Sequence, residues 1–162
     1  MSSWEWKLLR KGTRRPYRMV ERRMVLEYLV TRCQGALFRK AHKRLGPTAQ
    51  VLKKMYPNIP LSALRVYNPY VDAVCVFEDR IELIEFKIHD PMKGIAQLEF
   101  YRLLAQQDPE LQKFLPRPIV LKLVYWRTDA NIEALCKAKG IVFEVYHPPW
   151  LDPILREYGY IP

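Results

Sequence analysis

The sequence predicts an α/β domain with a mixed β-sheet flanked by helices, and three observations predict it. Residues 70–88 hold two β-branched and aromatic runs, Tyr70–Phe77 (YVDAVCVF) and Ile81–Ile88 (IELIEFKI), separated by the turn-like Glu78-Asp79. Pro118–Trp126 (PIVLKLVYW) is almost continuously apolar, as expected of a strand buried on both faces. Breaker-free segments rich in helix formers stand around these strands, giving the order α, β, β, β, α, β, α, β.

Each element has a local reason. Tyr17–Arg32 (YRMVERRMVLEYLVTR) lacks Gly and Pro and is rich in Met, Leu, Glu and Arg, so it reads as a helix that Gly35 stops. Ala36–Leu45 reads as a strand closed by the Gly46-Pro47 turn, and Val51–Leu64, broken by Pro57 and Pro60, as a loop with a short helix. The runs at 70–77 and 81–88 form an antiparallel hairpin, and Asp90-Pro91 breaks the second of them. Gly94–Gln107 is a helix that ends at Asp108-Pro109. Asp129 caps a helix over 129–139 that Gly140 stops, and Ile141–Tyr146 (IVFEVY) is the last strand. The expected organisation is a basic arm at 1–16, one α/β domain at 17–147 and a Pro-rich tail at 148–162 that wraps the surface.

A chain of 162 residues with 49% apolar content can bury one core. No run of 18 uncharged apolar residues is present, and the first 18 residues lack the apolar stretch of a secretory signal. Cys33, Cys75 and Cys136 are widely spaced and form no C-x-x-C pair, which argues against a disulfide scaffold and a closed zinc site. The expectation is an intracellular, cytoplasmic, nucleoid-associated protein that does not enter membranes. Charge is uneven: residues 1–54 hold 15 Lys/Arg and 3 Asp/Glu, whereas 55–162 hold 12 and 14. The usual intracellular polyanion is nucleic acid, so Arg14, Arg15, Arg18, Arg22, Arg39, Lys40, Lys43 and Arg44 are candidate phosphate contacts. Lys93, just before the helix over 94–107, is another. Trp4 and Trp6 beside Lys7 and Arg10 either stack on single-stranded bases or anchor the arm.

The hairpin holds the chemistry. Alternation puts Ile81, Leu83, Glu85 and Lys87 on one face of their strand and Glu82, Ile84, Phe86 and Ile88 on the other. Glu85 and Lys87 therefore project together among apolar neighbours, where charges are costly unless paired. The preceding strand carries Asp72, which the hairpin brings near Glu85 in one of its registers. Two adjacent carboxylates repel, and a hard cation such as Mg²⁺ relieves them. Such an ion polarises a phosphate and lowers the pKa of a water, while Lys87 can hold that water or offset developing charge. On the next helix Gln97 and Tyr101, spaced i, i+4, face one way. His42, His89 and His147 read as surface residues, and Cys75, Cys136, Trp126 and Trp150 as packing.

Asp72, then Glu85-Phe86-Lys87, then Gln97-Leu98-Glu99-Phe100-Tyr101 resembles the PD-(D/E)xK nuclease superfamily, and the Gln-x-x-x-Tyr element points to its RecB-like branch. The resemblance implies a restriction-endonuclease-like αβββαβ core over about residues 17–126. It implies that Asp72, Glu85 and the Phe86 backbone carbonyl bind Mg²⁺ or Mn²⁺ and that Lys87 assists catalysis. An upstream helix often adds a Glu to the metal site, for which Glu21 is the candidate and Glu27 the alternative. Gln97 and Tyr101 would orient the site and contact the substrate backbone. Val71 rather than proline precedes Asp72, so the "PD" is not literal, and three scattered cysteines make the iron–sulfur cluster of some relatives unexpected. The activity implied is a metal-dependent deoxyribonuclease acting in DNA repair, recombination or mobile-element processing, as a RecB-like exonuclease or a structure-specific endonuclease. A Holliday-junction resolvase, which would be a homodimer, and a catalytically silent DNA-binding or architectural protein are the competing roles.

Overall fold

A computed structural model describes residues 16–162. Helix α1 (Pro16–Arg32) opens at a proline, whose missing N–H is not needed in a first turn. Strand β1 (Phe38–Arg44) and the short helix α2 (Ala49–Met55) lead to β2 (Tyr70–Val76) and β3 (Ile81–Lys87). Helices α3 (Pro91–Ala105) and α4 (Pro109–Gln112) precede β4 (Ile119–Tyr125). The chain then runs through α5 (Ala130–Ala138), β5 (Ile141–Val145) and α6 (Asp152–Glu157).

The five strands form one sheet in the order β1-β2-β3-β4-β5. Strand β2 is antiparallel to both β1 and β3, and β3, β4 and β5 run parallel, so the sheet is mixed and helices flank it. Each parallel step needs a crossover, supplied by α3 with α4 and then by α5. On one face Val20, Met24 and Tyr28 of α1 pack on Ala73, Ile84, Phe86 and Ile88, with Tyr28 edge-on to Phe86 at 5.2 Å. On the other, Ile95 and Leu98 of α3 and Ile132 and Cys136 of α5 cover Val74, Leu83, Leu121 and Leu123. Both faces of β3 are thus buried with the alternation that its period-2 pattern dictates.

Two expectations are corrected. The strand ends before Asp90-Pro91, but α3 starts at Pro91, three residues earlier than the expected Gly94: Asp90 caps it, accepting from the Lys93 N–H at 3.3 Å. The tail is not a surface wrap, because Leu151, Ile154 and Leu155, spaced as one helical face, enter the same core as α1. Asp129 and Gly140 bound α5 as expected, Gly140 having the positive φ that favours glycine. Cys33, Cys75 and Cys136 are buried free thiols. Among the described residues no helix is long and apolar enough to cross a membrane.

Candidate active site

Pairing of Ala73 with Ile84 fixes the hairpin register and carries Asp72 beside Glu85. The Asp72 Oδ2 accepts the Phe86 N–H at 2.9 Å, and its charge acts on the Glu85 carboxyl across the pair. Glu85 is 2% exposed; its Oε1 accepts from Lys87 Nζ at 2.9 Å, whereas its Oε2 is buried with no donor. Burial, and then the Asp72 charge, push the Glu85 pKa up to about 8, with Lys87 pulling back only part of the shift. Burial also raises Asp72, against the Phe86 N–H and Lys87. Burial draws Lys87 down, but Glu85, Glu21 and Asp72 together hold it above the usual lysine value. The cluster therefore contains more carboxylate than one ammonium neutralises.

Glu21 stands at its border. From α1 its Oε1 accepts the Ile88 N–H at 3.1 Å, and its charge acts on both Glu85 and Lys87. Glu27 is directed elsewhere: it accepts the Trp150 indole N–H, so the tail takes the carboxylate that was the alternative ligand. Gln97 and Tyr101 do face one way. Gln97 Nε2 donates to the Tyr101 hydroxyl at 3.1 Å, and that hydroxyl donates to the Tyr70 carbonyl at 2.9 Å, bracing β2 two residues before Asp72. Gln97 Oε1 is buried without a partner.

The basic candidates divide. Arg14, Arg15 and the Arg18 side chain lie outside the described residues, as do Trp4 and Trp6. Arg22 and Lys93 are exposed, Lys93 in the first turn of α3. Arg39 and Lys40 are exposed on β1, Arg39 donating to the Leu29 carbonyl and Lys40 lying 3.6 Å from Glu110. Lys43 is a correction: it is 5% exposed and its Nζ lies 2.9 Å from both Asp108 and Glu110, so its charge is spent inside the protein. Arg44 donates to the Asn68 carbonyl and the Tyr70 hydroxyl.

Two residues at the site escape a reading of the sequence. A Cβ at Gly94 would fall 2.7 Å from Leu123 Cδ1 and 3.0 Å from Lys87 Cγ, so this glycine lets α3 press against the Lys87 stem. His42 stands between the paired residues Ala41–Ala73 and Lys43–Val71, across from Asp72. The only signal for either was position, and position depends on strand pairing.

Whether these residues suit a divalent cation is a question of donors. Among the described residues no three His, Cys, Asp or Glu side chains are grouped to hold an ion by themselves. Mg²⁺ needs fewer, since it keeps several waters and is commonly bound through one or two carboxylates. Asp72 and Glu85 supply two, and the donorless Oε2 of Glu85 is an oxygen that lacks what a cation provides. The residues present fit such an ion. No family model, curated protein or solved structure matches the chain.

Proposed function

We propose that this protein is a metal-dependent deoxyribonuclease of the PD-(D/E)xK type. The observation that carries the reading is the buried pair Asp72–Glu85 with a donorless Glu85 oxygen and Lys87 at 2.9 Å. The order of α1, β1, β2, β3, α3 and β4 is that of the restriction-endonuclease-like core and supports the same reading.

Asp72, Glu85 and the Phe86 carbonyl would hold Mg²⁺ or Mn²⁺, with Glu21 at the margin. When bound, that ion supplies a polarised phosphate and a water of lowered pKa. Lys87, whose protonated form Glu85, Glu21 and Asp72 favour, would offset the negative charge that a reacting phosphate gathers. Tyr101, whose hydroxyl burial holds in its protonated form, donates to the Tyr70 carbonyl and keeps Asp72 in register. Gln97 fixes that hydroxyl and leaves its own Oε1 for a ligand or water. Exposed Arg22, Arg39, Lys40 and Lys93 supply phosphate contacts.

The test is cleavage of linear duplex, single-stranded, closed-circular and four-way-junction DNA with Mg²⁺ or Mn²⁺ against EDTA. Metal-dependent cutting that Lys87→Ala lowers roughly 100-fold is expected. Cutting of linear DNA alone makes it an end-dependent exonuclease, and paired nicks in the junction make it a resolvase. Salt-sensitive binding with no cutting on any substrate overturns the reading in favour of a silent binding protein.

A further inference from the structure

We infer that His42, Tyr70 and Arg44 form a platform on which an unpaired base stacks beside the carboxylate pair, so that the DNA engaged is a single strand or a frayed end. The inference takes its location from the nuclease reading but stands on separate observations. Strand β1 is an edge of the sheet, and its ladder with β2 skips His42. There the backbone turns left-handed, with φ 51°, which a histidine adopts only at a conformational cost. The turn sets the exposed imidazole parallel to the Tyr70 ring, at 4.3 Å between centroids and 3° between planes.

Arg44 completes the cluster. Its guanidinium lies 4.5 Å from the Tyr70 ring centre and donates to the Tyr70 hydroxyl at 2.8 Å. Tyr70 is nonetheless 42% exposed. The residue is tied directly to the candidate site: its carbonyl accepts from Tyr101, and Asp72 follows two positions later on the strand.

Flat rings with a cation beside them attract the face of any base. In a duplex those base faces are already covered by their neighbours. An unpaired base offers one, and in a duplex only the terminal pair does. Protection of the sheet edge alone would need the kink and the charges of β1, but not two parallel exposed rings.

The experiment is fluorescence anisotropy in EDTA, comparing a short oligothymidylate with an abasic strand of equal length and charge. The wild type is expected to bind the oligothymidylate roughly 5- to 100-fold more tightly, the range that stacking of one base supplies. His42→Gly keeps the left-handed backbone, so its melting temperature should equal or exceed that of the wild type, while the preference falls at least severalfold and abasic binding stays. Tyr70→Leu, which retains the carbonyl that Tyr101 reaches, should also lose the preference. Equal binding of the two strands by the wild type, or an unchanged preference in a folded His42→Gly protein, overturns the platform. Because no metal is present, failure to cut DNA would sink the nuclease reading without altering this result.

Discussion

Strand β3 carries two buried glutamates on opposite faces, and each sits beside a lysine. Glu82 is 4% exposed and has a donor for each oxygen: Arg80 Nε at 2.7 Å and Lys122 Nζ at 2.9 Å. Lys122 is further held by the Tyr28 hydroxyl at 3.3 Å. Glu85 is equally buried but has one donor, Lys87, and a second carboxylate as its neighbour. Burial is common to both, so burial does not separate them. The separating feature is the balance of donors against acids: Lys122 and Arg80, the latter shared with the exposed Asp79, serve both oxygens of Glu82, whereas one lysine serves Asp72, Glu85 and the nearby Glu21. A closed balance holds the fold together, whereas an open one stores repulsion that a cation can relieve.

The largest effects should come from neutralising each glutamate in turn. Glu85→Gln removes a charge that the folded protein accommodates poorly, so metal-dependent cleavage should fall roughly 1000-fold while the metal-free protein becomes more stable at pH 8. Glu82→Gln strips the counter-charge from Arg80 and Lys122 and should cost about 2 kcal/mol or more, with the cleavage rate of the folded protein kept within about twofold. Urea unfolding beside single-turnover cleavage reads both. If the two variants lose stability alike, the distinction between the glutamates collapses.

A second effect follows from the sign of the Glu85 shift. Its pKa is raised from 4.5 to about 8 on folding, so between those values the folded protein binds the proton that the unfolded chain releases. The contribution to stability is complete below about pH 4.5 and is lost as pH rises through about 8, on the order of a few kcal/mol. Asp72, also raised, acts in the same direction. Melting temperature in EDTA should therefore fall across this range more steeply for the wild type than for Glu85→Gln. Added Mg²⁺ should raise it more at pH 8 than at pH 6, where the ion must first displace a proton. A Mg²⁺ effect independent of pH would separate the cation from Glu85.

The parts of this comparison that are local could be read from the chain. Alternation along 81–88 separates Glu82 from Glu85 because a strand has a period of two, and an i, i+4 spacing puts Gln97 over Tyr101 because a helix has 3.6 residues per turn. The order of strands and helices is also visible, since β-branched runs and capping residues act within a few positions. What depends on distant partners was hidden. Lys43 reads as a phosphate contact until Asp108, 65 residues away, is seen to enclose it. The approach of Asp72 to Glu85 needed the Ala73–Ile84 register, and the place of His42 needed the β1–β2 register and a left-handed residue within β1. The tail reads as a surface wrap because its prolines outweigh a short apolar face of Leu151, Ile154 and Leu155.

The smallest effect tests whether the open balance at Glu85 depends on the placement of Lys87 as well as on its charge. Gly94→Ala should help α3 in isolation, since alanine is favoured over glycine inside a helix by about 1 kcal/mol. In this packing the added methyl meets Leu123 Cδ1 at 2.7 Å and Lys87 Cγ and Cε at 3.0 and 3.3 Å. Leu123 and the lysine stem must give way, so the net change in stability should stay within about 1 kcal/mol. Moving the stem by a few tenths of an ångström lengthens the 2.9 Å contact between Lys87 and Glu85, and single-turnover cleavage should fall about 10-fold. The Glu82–Lys122 pair lies on the other face of β3 and should not respond. An unchanged rate in a folded Gly94→Ala protein would show that the ammonium finds its place without the glycine, leaving charge balance alone to distinguish the two glutamates.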